Sequence, residues 1–216
     1  MQTPPRAETT TPALQARRGG RPRSSATEAA ILAATRELLE EGGVRRLTIE
    51  GVAARAGVAK TTVYRRWRSR DELALAVLVR MVEDFGPVPD LGDTHAELVA
   101  VVNDAVRILG STIMGAVMKG LVSELAVDPD LGRQFQELVV GVRQAEVKRL
   151  VDRGVKRGDL RPGIHPPHLH EMLFGPIYYR LLLSGKPLDD DLAERIVSAV
   201  LPAFAGSTYL SRECGS

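Results

Sequence analysis

The stretch that most constrains the fold of this chain is residues 48–67, TIEGVAARAGVAKTTVYRRW. Thr48 stands where its hydroxyl can cap a helix, and Gly57 stands where a left-handed residue usually ends one. A second short helix is predicted over residues 60–67, so the stretch has the pattern of a helix-turn-helix that reads DNA. The first helix presents an apolar face with the 3.6-residue period, formed by Ile49, Val52, Ala53 and Ala56.

The second helix of this motif is predicted to bury Val63 and Trp67 and to expose a polar, basic face. Residues 45–70 contain eight arginines and lysines against one glutamate, a net charge of +7, whereas the whole chain carries only +2. A local excess of cations attracts DNA phosphates. A solvated helical hairpin with incidental arginines is the alternative, but the charge, caps and apolar pattern together favour DNA binding.

The run T-I-E-x-V-A-x-R-A-G-V-x-x-x-T-V-Y-R-R-W-x-S-R-D-E-L, residues 48–73, resembles the N-terminal domain of the TetR-type transcriptional regulators. The resemblance extends over about residues 25–85. It implies a three-helix DNA-binding domain followed by a larger C-terminal helical domain for ligand binding and dimerisation. Ala59 departs from the family, which usually has Ser or Thr at this helix cap. An alanine at such a position costs about 0.5–2 kcal/mol.

Nine residues are predicted to contact DNA. Those placed to meet base edges or nearby phosphates are Lys60, Thr61, Thr62 and Arg65. Arginine can form paired hydrogen bonds with guanine, whereas Tyr and Thr hydroxyls mainly fix position. Phosphate contacts are predicted for Thr48, Tyr64 and Arg70, and nonspecific attraction for Arg46 and Arg23.

The chain divides into four parts by composition. Residues 1–24 are rich in Pro, Thr, Gly and Arg without an apolar period, which predicts a disordered basic arm. Its GGRPR run resembles the core of an AT-hook, so contact with an A·T minor groove and a plain solubilising tail both stay open. Residues 25–85 are predicted to form the DNA-binding domain, with a first helix over residues 25–41. Residues 90–205 form the C-terminal domain, and residues 206–216 a flexible tail.

The C-terminal part shows helical periodicity without strand-like alternation, so the predicted fold is all-α. Thr94 and Glu97 have the spacing of a capping box that would open its first helix. The run GPIYYRLLLSGxPL, residues 175–188, resembles a TetR-type subgroup in which the last two helices of each subunit form a four-helix dimer interface. A homodimer is therefore predicted, with intradomain core as the alternative reading of the same residues. The predicted interface residues are Leu173, Ile177, Leu181, Leu192, Ile196, Val197 and Val200.

The resemblance also implies a small-molecule pocket in the C-terminal domain. The candidate lining is Met114, Met118, Phe135, Met172, Phe174, Tyr178 and Tyr179. Such residues are more often ordinary core than pocket wall, and a mostly aliphatic wall predicts a largely apolar effector. A homodimeric repressor that binds a palindromic operator and is released by this effector is the favoured function. A TetR-type activator, and a helical ligand- or partner-binding protein that no longer reads DNA, remain as alternatives.

The sequence contains no pattern that carries enzymatic chemistry. It has no G-x-S-x-G elbow, no phosphate-binding glycine loop and no H-E-x-x-H, so neither an enzyme nor a cofactor is predicted. His165, His168 and His170 cluster, but they straddle two prolines and lack a carboxylate that would complete a zinc site, so no metal is predicted. The single cysteine, Cys214, allows no internal disulfide. Because no membrane span or secretory signal is visible, a cytoplasmic location is predicted.

Overall fold

The computed structural model describes residues 21–84, 86–207 and 209, without the side chains of residues 21–24. Most of the predicted basic arm and tail, and the side chain of Arg23, therefore lie outside the described residues. The last four residues of the predicted arm are helical rather than disordered. Pro22 is tolerated there because the N–H groups of a first helical turn have no intrahelical partner. The described part of the chain contains no strand, only an isolated bridge between Leu160 and Ala205, so the predicted all-α fold is confirmed.

The N-terminal unit consists of α1 (Arg21–Arg46), α2 (Ile49–Arg55), α3 (Lys60–Tyr64) and α4 (Arg70–Glu83). Gly43, with φ 65° and ψ −176°, breaks the helical geometry at the predicted glycine pair. A further turn then continues α1 beyond its predicted end. The centre of this unit excludes water, because seven apolar side chains have no exposed surface: Ile31, Leu47, Val52, Val63, Leu73, Ala74 and Leu78.

The fourth helix, α4, connects the two units, and its start is fixed by a side-chain cap. Ser69 Oγ accepts the N–H of Glu72 at 3.1 Å, and the Glu72 carboxylate accepts the N–H of Arg68 at 2.6 Å. Both halves of a capping box are present, with the return bond one residue earlier than usual. The helix packs against α1 and α6. It is therefore buried on several sides.

The C-terminal unit comprises α5 (Thr94–Ser111), α6 (Ile113–Val127), α7 (Pro129–Phe135), α8 (Gly141–Arg157), α9 (Pro166–Tyr179) and α10 (Leu192–Val200). π-helical turns follow α7 (Gln136–Val140) and α9 (Arg180–Ser184), and a 3-10 turn (Leu201–Phe204) follows α10. In the described chain no single helix is long and apolar enough to span a membrane. α5 and α6 pass that test only as a pair bent by 82°.

Two stretches of these helices are irregular. A π turn separates α7 from α8, with Asp128 capping the start of α7 and Gly158, at φ 81°, ending α8. Pro176 lies inside α9 without ending it, and the π turn begins four residues later at Arg180.

The two units meet where α6 crosses the end of α1. Gly120 on α6 faces Val44, and a Cβ atom added at Gly120 would lie 2.8 Å from the Val44 Cβ. Because this distance is shorter than real Cβ contacts, only glycine permits the close approach. Movement of α6 would therefore reach the end of α1, immediately before the helix-turn-helix.

The predicted capping box at Thr94 and Glu97 is wrong. Asp93, one residue earlier, caps α5 by accepting the N–H of Ala96 at 2.9 Å. Thr94 and Glu97 have no exposed surface at all. Both side chains point into the protein, where they meet groups from α8 and the chain that follows it.

Those groups form an ion cluster of Glu97, Arg153, Arg157 and Asp159, in which the two carboxylates are buried and the two arginines are 26% and 24% exposed. The Glu97 carboxylate accepts from Arg153 at 2.9 Å and pairs with Arg157 at 3.1 Å. Asp159 accepts from Arg157 at 3.0 Å and from the Thr94 hydroxyl at 3.0 Å. Burial opposes the charge on Arg157, but hydrogen bonds to Glu97 and Asp159 outweigh it and raise its pKa. The cluster ties the start of α5 to the end of α8.

The same cluster holds the connection between the two units. The Leu91 N–H donates to Glu97 at 3.1 Å, and Arg153 donates to the Pro89 carbonyl at 3.2 Å. The segment after α4 is therefore attached to the C-terminal unit by hydrogen bonds that involve charged groups, which are stronger than bonds between neutral groups.

Candidate DNA-binding surface and ligand cavity

Local chemistry fixes the first helix of the helix-turn-helix and the turn after it. Thr48 Oγ1 accepts the N–H of Gly51 at 3.1 Å and caps α2, as predicted. Gly57 adopts φ 65°, the left-handed geometry expected for the turn. The next N–H, of Val58, donates to the Ala53 carbonyl at 3.0 Å. Val63 then anchors α3 in the core with no exposed surface.

The recognition helix α3 is shorter than predicted. It ends at Tyr64, and Trp67 lies beyond it in a half-buried position. The N–H groups of Arg66 and Trp67 both donate to the Val63 carbonyl, which closes the helix before the cap at Ser69. Ala59 stands at the N-cap and provides no side-chain hydrogen bond, as expected for alanine.

The structure exposes most of the side chains predicted to contact DNA. Tyr64 is 50% exposed, and Thr62 is the half-buried exception. The other exposed members are Arg46, Thr48, Lys60, Thr61, Arg65 and Arg70. Exposure leaves these side chains available to DNA, and their individual contacts remain predictions.

The positive charge that this surface leaves unpaired is smaller than the net charge of +7 counted over residues 45–70. Arg55 binds both carboxylate oxygens of Glu41, at 2.5 and 3.0 Å, and its hydrogen bond lowers the pKa of Glu41. Arg66 lies 3.7 Å from the carboxylate of Glu28. Both arginines thus pair with glutamates of α1 that lie before residue 45 and were left out of that net charge.

A carboxylate also lies on the surface predicted to contact DNA. Glu50 pairs with Lys60 at 3.1 Å, and both side chains are more than half exposed. The backbone N–H of Glu50 and then Lys60 lower the pKa of Glu50. Exposed pairs are worth about 0–1 kcal/mol, so this pair adds little to the stability of the fold.

A small cavity lies between α4, α5, α6, the first π turn, α8 and α9. Four predicted lining residues border it, namely Met114, Met118, Phe174 and Tyr178. Phe135, Met172 and Tyr179 do not, and Tyr179 is 57% exposed at the end of α9. The cavity measures about 30 Å³, whereas pockets for drug-sized ligands occupy about 300–1,000 Å³. An effector would therefore have to enlarge it.

The polar groups beside this cavity come from α8 and α9. Arg143 lines it and pairs with Glu146 at 2.7 Å, with side-chain exposures of 12% and 6%. Burial raises the pKa of Tyr178, against a smaller opposing effect of Arg143. Burial also lowers the pKa of His170, which stacks on Phe174 with ring centroids 4.5 Å apart. Both groups therefore favour their neutral forms.

A larger groove lies on the outside of the molecule, between α4 and α7. It measures about 520 Å³ and is open to solvent. Its walls carry Arg80, Asp130 and Arg133 beside Trp67. These charged walls do not suit an apolar effector.

The seven residues predicted for the dimer interface lie inside the single chain. Leu173, Ile177 and Val197 have no exposed surface, and Leu181, Leu192, Ile196 and Val200 are at most 8% exposed. Side chains enclosed by their own chain have almost no surface left for a partner. The alternative reading, intradomain core, accounts for these seven residues. An interface on the same helices would have to use other side chains.

Two of the three clustered histidines have different surroundings. His170 is buried against Phe174, whereas His168 is exposed beside Glu171 at 3.8 Å. Within the described chain, no group of three His, Cys, Asp or Glu side chains is arranged to hold a metal ion.

A short helix that follows a glycine turn and exposes its polar side chains places them in the major groove of DNA in proteins of this architecture. The chain is a helix-turn-helix transcriptional regulator. It belongs to the TetR family: residues 31–77 match the family described as bacterial regulatory proteins, tetR family, and residues 88–200 match the tetracyclin repressor-like C-terminal domain.

Full-length relatives agree with this assignment. An uncharacterized HTH-type transcriptional regulator of Bacillus subtilis (strain 168), YdeS, is 31% identical over 89% of this chain and 95% of its own. The crystal structure of the TetR family transcription regulator SCO0332 is 32% identical, with a TM-score of 0.72 over 83% of this chain and 98% of that one. RolR, solved with resorcinol, shares the fold at 18% identity and a TM-score of 0.62, over 90% and 95% of the chains. The matched families and the curated relatives are transcriptional regulators, a class without enzymatic activity.

Proposed function

We propose that this regulator is a cytoplasmic homodimeric repressor that binds a palindromic operator and is released by a small molecule in the cavity. The observation that carries the proposal is that α4 borders both functional regions. Leu78 and Val82 of α4 line the cavity. Ser69 and Arg70, at the start of α4, adjoin the helix-turn-helix of α2 and α3, called here the reading head. A ligand that enlarges the cavity displaces the helix that follows the helix-turn-helix.

The reading head supplies the DNA contacts. Lys60, Thr61, Thr62 and Arg65 meet base edges or adjacent phosphates from α3, and Thr48, Tyr64 and Arg70 hold the backbone. Arg46 and Arg23 add nonspecific attraction. Two such heads, related by a two-fold axis, match half-sites one helical turn apart.

The dimer surface is formed by exposed apolar residues at the end of α9 and in the π turn after it. Leu183 is 77% exposed and Tyr179 is 57% exposed. They lie in the segment whose sequence resembles the subgroup's dimer helices. Large apolar side chains that are exposed together mark an interaction surface.

The ligand acts by population shift. It binds more tightly to a subunit arrangement whose heads do not fit successive major grooves, and only this differential affinity releases DNA. The second contact between the units, Gly120 against Val44, gives α6 a direct route to the end of α1. RolR was solved with resorcinol, and the effector of this chain would likewise be a small molecule.

One feature favours a second candidate function. The recognition helix lacks a side-chain cap at Ala59, which is expected in a ligand- or partner-binding protein that no longer reads DNA. The buried anchor Val63 and the exposed basic face both favour the repressor. An activator would use the same contacts, since the sign of regulation depends on where the operator lies.

A charge placed in the dimer surface tests this function. Leu183→Glu is expected to convert the dimer to a monomer and to lower operator affinity at least about tenfold, because a lone head makes half of the contacts. Sedimentation equilibrium and anisotropy titration measure the two effects. Val127→Glu is the matched control, since Val127 is 78% exposed on α6, and it should remain dimeric. A dimeric Leu183→Glu variant would contradict the proposed surface.

A further inference from the structure

The wall of the cavity contains one ionic side chain. Aliphatic, thioether and aromatic groups form nearly all of it, and among the lining residues Arg143 is the only charged one. Tyr178 supplies the only hydroxyl. A guanidinium in such a wall is unusual, because removing a charge from water is expensive unless the charge is paired.

One partner of Arg143 lies on its own helix. Glu146, three residues on, is 2.7 Å away, and both side chains are nearly buried. Buried ion pairs of this kind are often replaced by apolar residues without loss of stability. A charge beside the cavity that is little screened by water would attract an anion strongly.

Building on the proposed ligand function of this cavity, we propose that the effector is an apolar molecule with one anionic group, which binds Arg143 and accepts a hydrogen bond from Tyr178. A planar guanidinium has five N–H donors in a fork that suits a carboxylate or a similar oxyanion. It can bind such a group while it still contacts Glu146. Burial keeps the Tyr178 hydroxyl protonated, so that it donates.

The rest of the wall suits the apolar body of such a ligand. Met114 and Met118 lie in it together with Phe174. Methionine side chains adapt easily to new shapes, so the wall can open from its compact form around an aromatic or aliphatic body. An amine would be repelled by Arg143, and an uncharged ligand would form no ion pair with it.

Two dyes that differ in one charged group test the inference. 1-Anilinonaphthalene-8-sulfonate carries an anionic sulfonate, and N-phenyl-1-naphthylamine has the same rings without it. Wild-type protein is expected to bind the sulfonate dye about tenfold more tightly, as for a charge-assisted hydrogen bond. The double variant Arg143→Met/Glu146→Gln should lose this preference and keep its affinity for the uncharged dye. Fluorescence titration measures both affinities.

The controls separate charge, folding and site. Arg107 and Asp104 form an exposed pair of the same spacing on α5, at 3.2 Å. Arg107→Met/Asp104→Asn should leave both dye affinities unchanged. Ala105→Phe fills the cavity and should abolish binding of both dyes. Thermal melts followed by circular dichroism confirm that each variant is folded.

The outcomes distinguish this inference from the proposed function beneath it. Equal affinity for the two dyes in wild type, with both lost in Ala105→Phe, would overturn the anionic effector and leave the cavity as the ligand site. Dye binding that survives Ala105→Phe, or no binding of either dye, would overturn the ligand cavity as well. The inference is supported if the double variant Arg143→Met/Glu146→Gln loses the preference for the sulfonate dye and the control variant Arg107→Met/Asp104→Asn keeps it.

Discussion

Replacing Lys60 or Tyr64 with alanine is expected to lower operator affinity about 10- to 100-fold while leaving the dimer and the fold intact. Both side chains are at least half exposed, so their loss removes no core packing. Each would otherwise contact DNA from the recognition helix. Lys60→Ala should also reduce the dependence of affinity on salt by about one counterion, whereas Tyr64→Ala should not. Anisotropy titrations at several salt concentrations measure both quantities.

The control for this prediction is a lysine of similar exposure outside the head. Lys148 is 62% exposed on α8 and pairs with Asp152, so Lys148→Ala should bind the operator as wild type does. Sedimentation should show a dimer for all variants. Unchanged operator affinity in both Lys60→Ala and Tyr64→Ala would contradict the proposal that α3 contacts the operator.

Arg157→Met is expected to lower the free energy of unfolding by about 3–5 kcal/mol, the usual cost of breaking a buried ion pair from one side. The substitution removes the arginine that binds the Asp159 carboxylate, which is 2% exposed. It also removes one of the two arginines that pair with Glu97, which has no exposed surface. Urea unfolding followed by circular dichroism measures the change.

Two variants show whether burial is the cause of this loss. Lys156→Met changes the neighbouring, exposed residue of the same helix and should alter stability by no more than about 0.5 kcal/mol. Adding Glu97→Gln and Asp159→Asn to Arg157→Met removes the uncompensated charges and should restore much of the stability. A loss below about 1 kcal/mol in Arg157→Met alone would contradict a buried cluster.

Features that depend on local chemistry could be predicted from the sequence. The cap at Thr48, the left-handed Gly57 and the cap at Ser69 each involve atoms within a few residues. The prediction of a capping box at Thr94 was wrong because two other hydrogen-bonding interactions compete with it. Asp93 offers a better-placed cap, and the true partner of Thr94 is Asp159, 65 residues away.

Periodicity also cannot identify what a face packs against. The apolar positions of α9 and α10 read equally as dimer interface or core, and residues such as Leu173 and Val197 are core. Arg143 was missed for a similar reason. An arginine three residues before a glutamate on an amphipathic helix resembles a solvated surface pair, and only the fold shows that α8 turns this pair inward beside the cavity.

The most direct test of the account is to titrate the purified protein onto the DNA upstream of its own gene, following fluorescence anisotropy at several salt concentrations. We expect binding about a thousandfold or more tighter than to a scrambled duplex of equal length, with a steep decrease as salt rises. Equal, weak binding to the upstream duplex, to the scrambled duplex and to a pool of genomic fragments would contradict a specific regulator. It would indicate a helical protein whose helix-turn-helix no longer reads DNA.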